Sequence, residues 1–176
     1  MQKGMVRSNE ALTRMYHSHV NTVYRVCFLY MKNKQDTEDM VQNTFVRLLK
    51  DATEFQSTEH EKAWLIRTAI NICKDHYRRH RAAPMDLSCL PETAATDIYN
   101  LNDVLKKVLA LPSKYKTTIY MYYYEGYSSV EIAKILGEKE STVRSRLHKG
   151  RKLLKMEMKN CVNGYILKLK QYNYDD

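Results

Sequence analysis

Residues 126–154 carry a punctuation pattern that permits few folds. Gly126 stops a preceding helix, because glycine enters the left-handed backbone at a helix end without a Cβ penalty. Ser128 opens the next helix. Glu131, three residues on, completes a capping box, in which each side chain satisfies a backbone N–H the helix leaves free. The segment SVEIAKIL then buries Val130, Ile132, Ala133 and Leu136, and Gly137 stops it. After the turn GEKE, Ser141 or Thr142 begins a second helix with Val143, Leu147, Leu153 or Leu154, and Met158 facing inward. Two short helices across a tight turn make a helix-turn-helix, whose second helix fits a major groove about 12 Å wide.

Charge placement supports contact with DNA. Arg144, Arg146, Lys149, Arg151, Lys152, Lys155 and Lys159 crowd the second helix, opposed within it only by Glu157. The outward residues near its start, Arg144, Ser145, His148 and Lys149, are the candidates for base edges. The fixed fork of an arginine can grip a guanine edge at two points, worth about 1–3 kcal/mol of discrimination. Lys152 and Lys155, farther along, suit phosphates. Basic residues also favour a helix C-terminus through the dipole, which accounts for Lys155 and Lys159 but not for the cluster from Arg144 onward.

The rest of the chain reads as all-α. Only 5 glycines and 3 prolines occur in 176 residues, too few for a β-rich or loop-rich fold. Over residues 10–31, Leu12, Met15, Val20, Val23, Cys27 and Tyr30 recur at helical spacing. Asp36 with Asp39 resembles a cap for a second helix, which places Met40, Val41, Phe45, Leu48 and Leu49 on one broad face. Thr58 with Glu61 opens a third, carrying Trp64, Leu65, Ile66, Ile70, Ile72, Cys73 and Tyr77, with Trp64 read as core. Pro84 and Pro91 then interrupt the period, and a new helical half restarts at Leu101, Val104 and Leu105. Pro112 fits the first turn of a further helix, and TTIYMYYYE, ambiguous by propensity, is read as helical from its neighbours. The predicted organisation is therefore two small helical domains, 8–81 and 99–159, joined by a linker at 82–98 and followed by a tail at 160–176. Met85, Leu87 and Leu90 in the linker are candidates for docking.

The net charge of +9 favours a polyanionic partner: nucleic acid, an acidic protein surface or anionic lipid. No apolar run approaches the roughly 18–20 residues of a membrane span, and no apolar stretch follows the basic N-terminus, so neither membrane insertion nor secretion is expected. Cys27, Cys73, Cys89 and Cys161 are scattered without CxxC spacing, which suits reduced thiols in a cytoplasmic chain. The third helix closes with KDHYRRHR, whose cations suit a phosphate backbone and whose rings suit unstacked bases.

Three stretches in order carry a family resemblance: DTEDMVQNTFVRLLK from Asp36, KAWLIRTAINICKDHYRRHR from Lys62, and LALPSKYKTTIYMYYYEGYSSVEIAKILGEKESTVRSRLHKGRKLL from Leu109. The chain resembles an extracytoplasmic-function sigma factor of the sigma-70 family. The resemblance implies a role residue by residue. Asp39, Gln42, Asn43 and Phe45 match positions that dock on the β′ clamp helices of core RNA polymerase. Asn71, Asp75, His76, Arg78 and Arg79 lie where the family opens the −10 element and captures a flipped base. Thr142, Arg144, Ser145, His148, Lys149 and Lys152 lie where it reads the −35 element, in a domain that also touches the β flap. An anti-sigma factor is the expected inhibitory partner, and an envelope or environmental stress the expected setting; no cofactor is implied. The sequence departs from the family at Glu138 (commonly apolar), Lys139, Ser141 and Lys149-Gly150, and a mid-helix glycine costs about 1 kcal/mol against alanine.

Two other classes are weaker. An autonomous helix-turn-helix regulator would dimerise on two half-sites one turn apart, and no sensor pocket or dimerising helix is evident. An enzyme needs a reactive constellation. His17 and His19 form no HExxH motif, and His76, His80 and Asp75 find no cysteine at metal-ligand spacing. A helical adaptor that binds no DNA leaves the cluster at Arg144 without a purpose.

Overall fold

The computed structural model describes residues 7–79 and 103–158. Among these are seven helices: α1 (Asn9–Met31), α2 (Lys34–Lys50), α3 (Thr58–Arg79), α4 (Asp103–Ala110), α5 (Ser113–Tyr123), α6 (Ser129–Leu136) and α7 (Glu140–Met158). The docking expected of Met85, Leu87 and Leu90, the linker and the tail fall outside the described residues.

The first three helices pack mutually. Val23, Val26 and Cys27 from α1 meet Met40, Val41 and Leu48 from α2 and Leu65, Ile66, Ile70 and Cys73 from α3, all buried. Each such aliphatic side chain withdrawn from water contributes about 1.5–3 kcal/mol. Trp64 is half-buried at the edge of this core, edge-to-face with Phe55 at 5.8 Å between centroids. The caps differ from expectation. Helix α2 is capped by Asn33, whose side chain accepts from the Asp36 N–H and donates to the Asp36 carboxylate, both at 2.8 Å. Helix α3 is capped by Ser57, which accepts from the His60 N–H at 3.1 Å, so Thr58 is the first helical residue. Glu61 is thereby released from any capping duty and turns inward. Its carboxylate accepts from Arg14 at 2.6 and 3.2 Å and lies 3.3 Å from His19 Nε2. The Arg14 guanidinium, seconded by His19, holds the Glu61 carboxyl below the usual carboxylate range. Leu49 is 57% exposed, unlike its neighbour Leu48, because the buried stripe of α2 runs through Thr37, Met40, Val41, Thr44 and Leu48. Arg7 clasps the end of α2 by donating to the carbonyls of Leu48, Asp51 and Thr53.

The C-terminal half is built from shorter helices. TTIYMYYYE is helical as read, and it escapes its strand propensity locally. The Thr117 and Thr118 hydroxyls donate back to the Ser113 and Lys114 carbonyls at 2.9 and 3.0 Å, and Ile119, Tyr120 and Met121 are buried. Pro112 sits just before α5 as its N-cap rather than inside its first turn. The Ser128–Glu131 capping box is formed, and Gly137 ends α6 with φ +67°. Ile132, Ala133 and Ile135 form the buried face of α6, whereas Val130 is 43% exposed. Helix α7 starts at Glu140, a residue earlier than expected, and buries Val143, Leu147, Gly150 and Leu154. Gly150 owes its place to packing: a Cβ there would lie 2.8 Å from Cγ1 of Ile119, so the glycine lets α7 approach α5.

The halves dock through α1 and α3 against α5 and α6, and their buried side chains form one continuous cluster. Tyr30 Oη and Thr117 Oγ1 are 2.8 Å apart across this junction, and Lys62 pairs with the nearly buried Glu125 carboxylate at 2.6 Å.

Candidate nucleic-acid interface

Helix α7 divides into two faces. Val143, Leu147, Gly150 and Leu154 repeat at three- and four-residue steps and are buried against α5 and α6. Arg144, Ser145, His148, Lys149 and Lys152 lie on the opposite side and are exposed, with Thr142 half-buried at their edge. The capping box and the left-handed Gly137 fix the entry of α6 and its exit toward α7, so the exposed face rides on a rigid two-helix unit.

The turn residues of the motif hold arginines, a feature that counting charges within α7 missed. Glu140 pairs with Arg144 at 2.8 Å and accepts from the Ser129 hydroxyl at 3.1 Å. Glu138 takes Arg146 at 2.7 and 2.9 Å, and both partners are three-quarters buried. Arg151 lies under the aromatic end of α5, donating to Tyr123 Oη at 2.8 Å and stacking on the Tyr122 ring. Of the cations on α7, therefore, Arg146 and Arg151 serve packing, whereas Arg144 remains 69% exposed. The signal for this was present in the departure from the family at Glu138, although the partner it selects is visible only in three dimensions.

The N-terminal half presents two further surfaces. On α2, Asp39, Gln42 and Asn43 are exposed on one face, continued by the exposed apolar side chains Val46 and Leu49. Phe45 is half-buried beside them, its ring 4.9 Å from that of Tyr16 on α1. Val46, Leu49 and Tyr16 extend this patch beyond the residues that sequence reasoning singled out. On α3, Asn71, Arg78 and Arg79 are exposed, and Asp75 and His76 are half-buried. Asp75 and Arg78 pair at 3.1 Å. Tyr77 turns away from this face and donates to the Tyr30 carbonyl at 2.5 Å, tying the end of α3 to α1.

The profile for sigma-70 region 2 matches residues 15–83, and that for sigma-70 region 4 matches residues 101–154. The RNA polymerase sigma factor SigV of Bacillus subtilis is 30% identical over 146 residues, covering 80% of this chain and 86% of its own length. The ECF RNA polymerase sigma factor SigW of the same organism is 27% identical over 169 residues, covering 86% and 90%. The chain belongs to the extracytoplasmic-function group of the sigma-70 family. Two solved structures share its fold. RpoE of Bartonella quintana, in complex with the anti-sigma factor NepR, aligns with a TM-score of 0.65 at 20% identity, covering 87% of this chain and 99% of that one. CnrH, in complex with the cytosolic domain of CnrY, aligns with a TM-score of 0.64 at 20% identity, covering 88% and 92%.

Within this sigma factor, α2 and α3 fall in the region 2 match, and α5, α6 and α7 through Leu154 in the region 4 match. The three candidate surfaces thus divide two and one between the regions. Among the described residues, no group of three or more His, Cys, Asp or Glu side chains is arranged to hold a metal ion. No described helix is long and apolar enough to cross a membrane. His80, weighed with His76 as a metal pair, lies outside the described residues.

Proposed function

We propose that this sigma factor places core RNA polymerase on a promoter by three separate contacts and is not itself a catalyst. Arg144, Ser145, His148, Lys149 and Lys152, with Thr142 at the helix start, read and grip the −35 element. The observation that carries this reading is the division of α7, in which Arg144, Ser145, His148, Lys149 and Lys152 share one exposed face while Val143, Leu147, Gly150 and Leu154 are buried on the other. Asn71, Asp75, His76, Arg78 and Arg79 engage the −10 element, where unpairing and unstacking cost a few kcal/mol per step and bound bases and phosphates offset that cost. Asp39, Gln42, Asn43 and Phe45 dock on the β′ clamp helices, and the region 4 half touches the β flap. The protein works in the cytoplasm without a cofactor. Because the structurally similar RpoE is found in complex with the anti-sigma factor NepR, an anti-sigma factor is the expected inhibitory partner here too.

The test is reconstitution. Added to core polymerase on a matched −35/−10 promoter, the protein should direct run-off transcription that scrambling either element abolishes. Specific duplex binding by the protein alone, with no initiation when core polymerase is supplied, would instead mark an autonomous regulator.

A further inference from the structure

The docked halves set a distance problem for the function proposed above. Elements named −35 and −10 lie about 25 base pairs apart, or about 85 Å of duplex at roughly 3.4 Å per base pair. The described residues share one buried cluster. A single body of roughly 130 residues has a radius of gyration of about 14 Å and a breadth of about 35–40 Å. Docked, α3 and α7 cannot both reach their elements. Parted, they can: the 23 residues at 80–102 span at most about 80 Å, and each half adds its own width.

A few polar contacts fasten the junction. Lys62 of α3 donates to Glu125, in the turn after α5, at 2.6 Å, and the same carboxylate accepts from Tyr120 Oη at 2.6 Å. The Glu125 side chain is only 4% exposed, so its charge depends on Lys62 for compensation. Tyr30 Oη meets Thr117 Oγ1 at 2.8 Å. Arg67 of α3 reaches the C-terminal end of α6 at Gly137, where the helix dipole favours a cation.

Three costs stand against these contacts. Lys116 is buried beside the positive charge of Lys32, with no carboxylate partner among the described residues. The Tyr127 hydroxyl is buried without a hydrogen-bond partner among them, and the Lys62 ammonium lies 5.4 Å from the centre of its ring. The Lys62–Glu125 pair has itself given up hydration. Opening returns all three to water, so the junction can part without unfolding either half. A half-open cavity of about 470 Å³ also remains in it, lined by Lys74, Tyr77 and Arg78 of α3 and by Lys114, Thr117 and Arg146 of the C-terminal half. The C-terminal half therefore stands beside the end of α3 assigned to the −10 strand.

We propose that the docked arrangement is a self-inhibited resting state, latched by Lys62–Glu125 and Tyr30–Thr117, and that full engagement of polymerase and promoter requires the halves to part. Asp39, Gln42 and Asn43 on α2 stay exposed when the halves are docked, so polymerase can take hold there first. The cost of opening then falls on the engagement of both promoter elements together. The coupling to transcription rests on the promoter function proposed above; the latch itself does not.

Small-angle scattering of the full chain, without polymerase, reads the latch. Wild type should scatter as one compact body. Lys62→Glu sets two carboxylates against each other and should shift docking toward the open form by about tenfold or more, seen as a larger radius of gyration with helical circular dichroism unchanged. Lys62→Glu/Glu125→Lys restores the pair in reverse and should close the halves again. Tyr30→Phe, the mildest change, should open them in part. A wild type that already scatters as two separated bodies would overturn the latch, as would a Lys62→Glu chain as compact as wild type. If Lys62→Glu loses helicity, Tyr30→Phe decides, and equal compactness there would overturn the latch.

The second arm is run-off transcription at limiting core polymerase. Only the open form engages fully, so Lys62→Glu should give about threefold to tenfold more transcript than wild type, and the swapped pair should return to wild type. A more open chain with no gain in transcript would overturn the self-inhibition and leave the latch. If neither wild type nor any variant initiates on a matched promoter, the promoter function proposed above fails, and with it the coupling but not the latch.

Discussion

Helix α7 and helix α3 both carry basic residues proposed to touch DNA, yet they are embedded differently. Helix α7 keeps its candidate DNA residues on one face and its packing residues on the other, so docking of the halves leaves Arg144, Ser145, His148 and Lys149 exposed. Helix α3 is shared. Lys74, Tyr77 and Arg78 line the cavity against the C-terminal half, while Asn71 and Arg79 face outward. A duplex-reading surface can be presented ready-made because B-form DNA needs no rearrangement to meet it. The proposed strand-capturing surface works only once polymerase has positioned the DNA, and in this conformation Lys74 and Arg78 stand at the edge of the junction.

The largest effect that would sharpen this contrast is on stability within the N-terminal half. Glu61→Ala leaves the half-exposed Arg14 and the buried His19 without their carboxylate. Breaking a buried pair costs about 3–5 kcal/mol, and the exposure of Arg14 reduces that here to about 2 kcal/mol. Urea denaturation should show this loss. A midpoint equal to wild type would mean that the network does not hold α1 to α3.

Gly150→Ala comes next and acts only in the C-terminal half. Alanine gains about 1 kcal/mol of helix propensity, but its Cβ would meet Ile119 at 2.8 Å, and overpacking of that kind costs about 1–3 kcal/mol. We expect a net loss of about 1 kcal/mol in denaturant unfolding. The double variant with Ile119→Val should recover part of it, since removing a methyl makes room; a stabilised Gly150→Ala single variant would contradict the packing role.

These two residues also show how far the sequence was legible. The helical period, the stop at Gly137 and the capping box were readable because each is a local rule, whereas α5 ends at Tyr123, ahead of the stop expected at Gly126. Gly150 read as a defect because the close neighbour that excuses it, Ile119, lies 31 positions away in the chain. Glu61 read as a cap because Thr58 and Ser57 are adjacent candidates and only one meets the His60 N–H. Leu49 and Val130 were assigned to the core because a helical stripe blurs at its margins, and one step of about 100° turns a side chain out. The pairs made by Glu138 and Glu140 depend on the geometry of the turn, and the charge balance of α7 alone could not reveal them.

A comparable effect, spread over pH, probes the junction. Burial, helped by the charge of Lys32, pushes the Lys116 amine on α5 down from 10.5 to about 8. A base with a lowered folded-state pKa is protonated more readily when the structure opens. Stability should therefore rise with pH from about 8 toward 10.5 as that uptake is lost. Burial pushes Tyr30 up to about 12, and the contact with Cys27 together with burial pushes the Cys73 thiol up; both act in the opposite sense, Tyr30 above pH 10 and Cys73 from about pH 9, so the Lys116 contribution is read over pH 8–9.5 as wild type minus Lys116→Met. We expect that difference to grow by about 1–2 kcal/mol across the window. Lys116→Met should lose the rising contribution and be more stable at pH 7; a pH dependence equal to wild type would place the titration elsewhere.

The division of labour between the two helices is the central claim, and permanganate footprinting of the reconstituted holoenzyme on a matched promoter, with occupancy measured in parallel, tests it most directly. Arg144→Ala should lower occupancy and lose discrimination between matched and scrambled −35 elements, while the complexes that do form still open. Arg79→Ala should keep −35 occupancy within about twofold of wild type and lose reactive thymines around the −10 element. If both variants lose occupancy and opening in the same proportion, or if Arg144→Ala weakens matched and scrambled sites equally, the separation of roles between α7 and α3 is wrong.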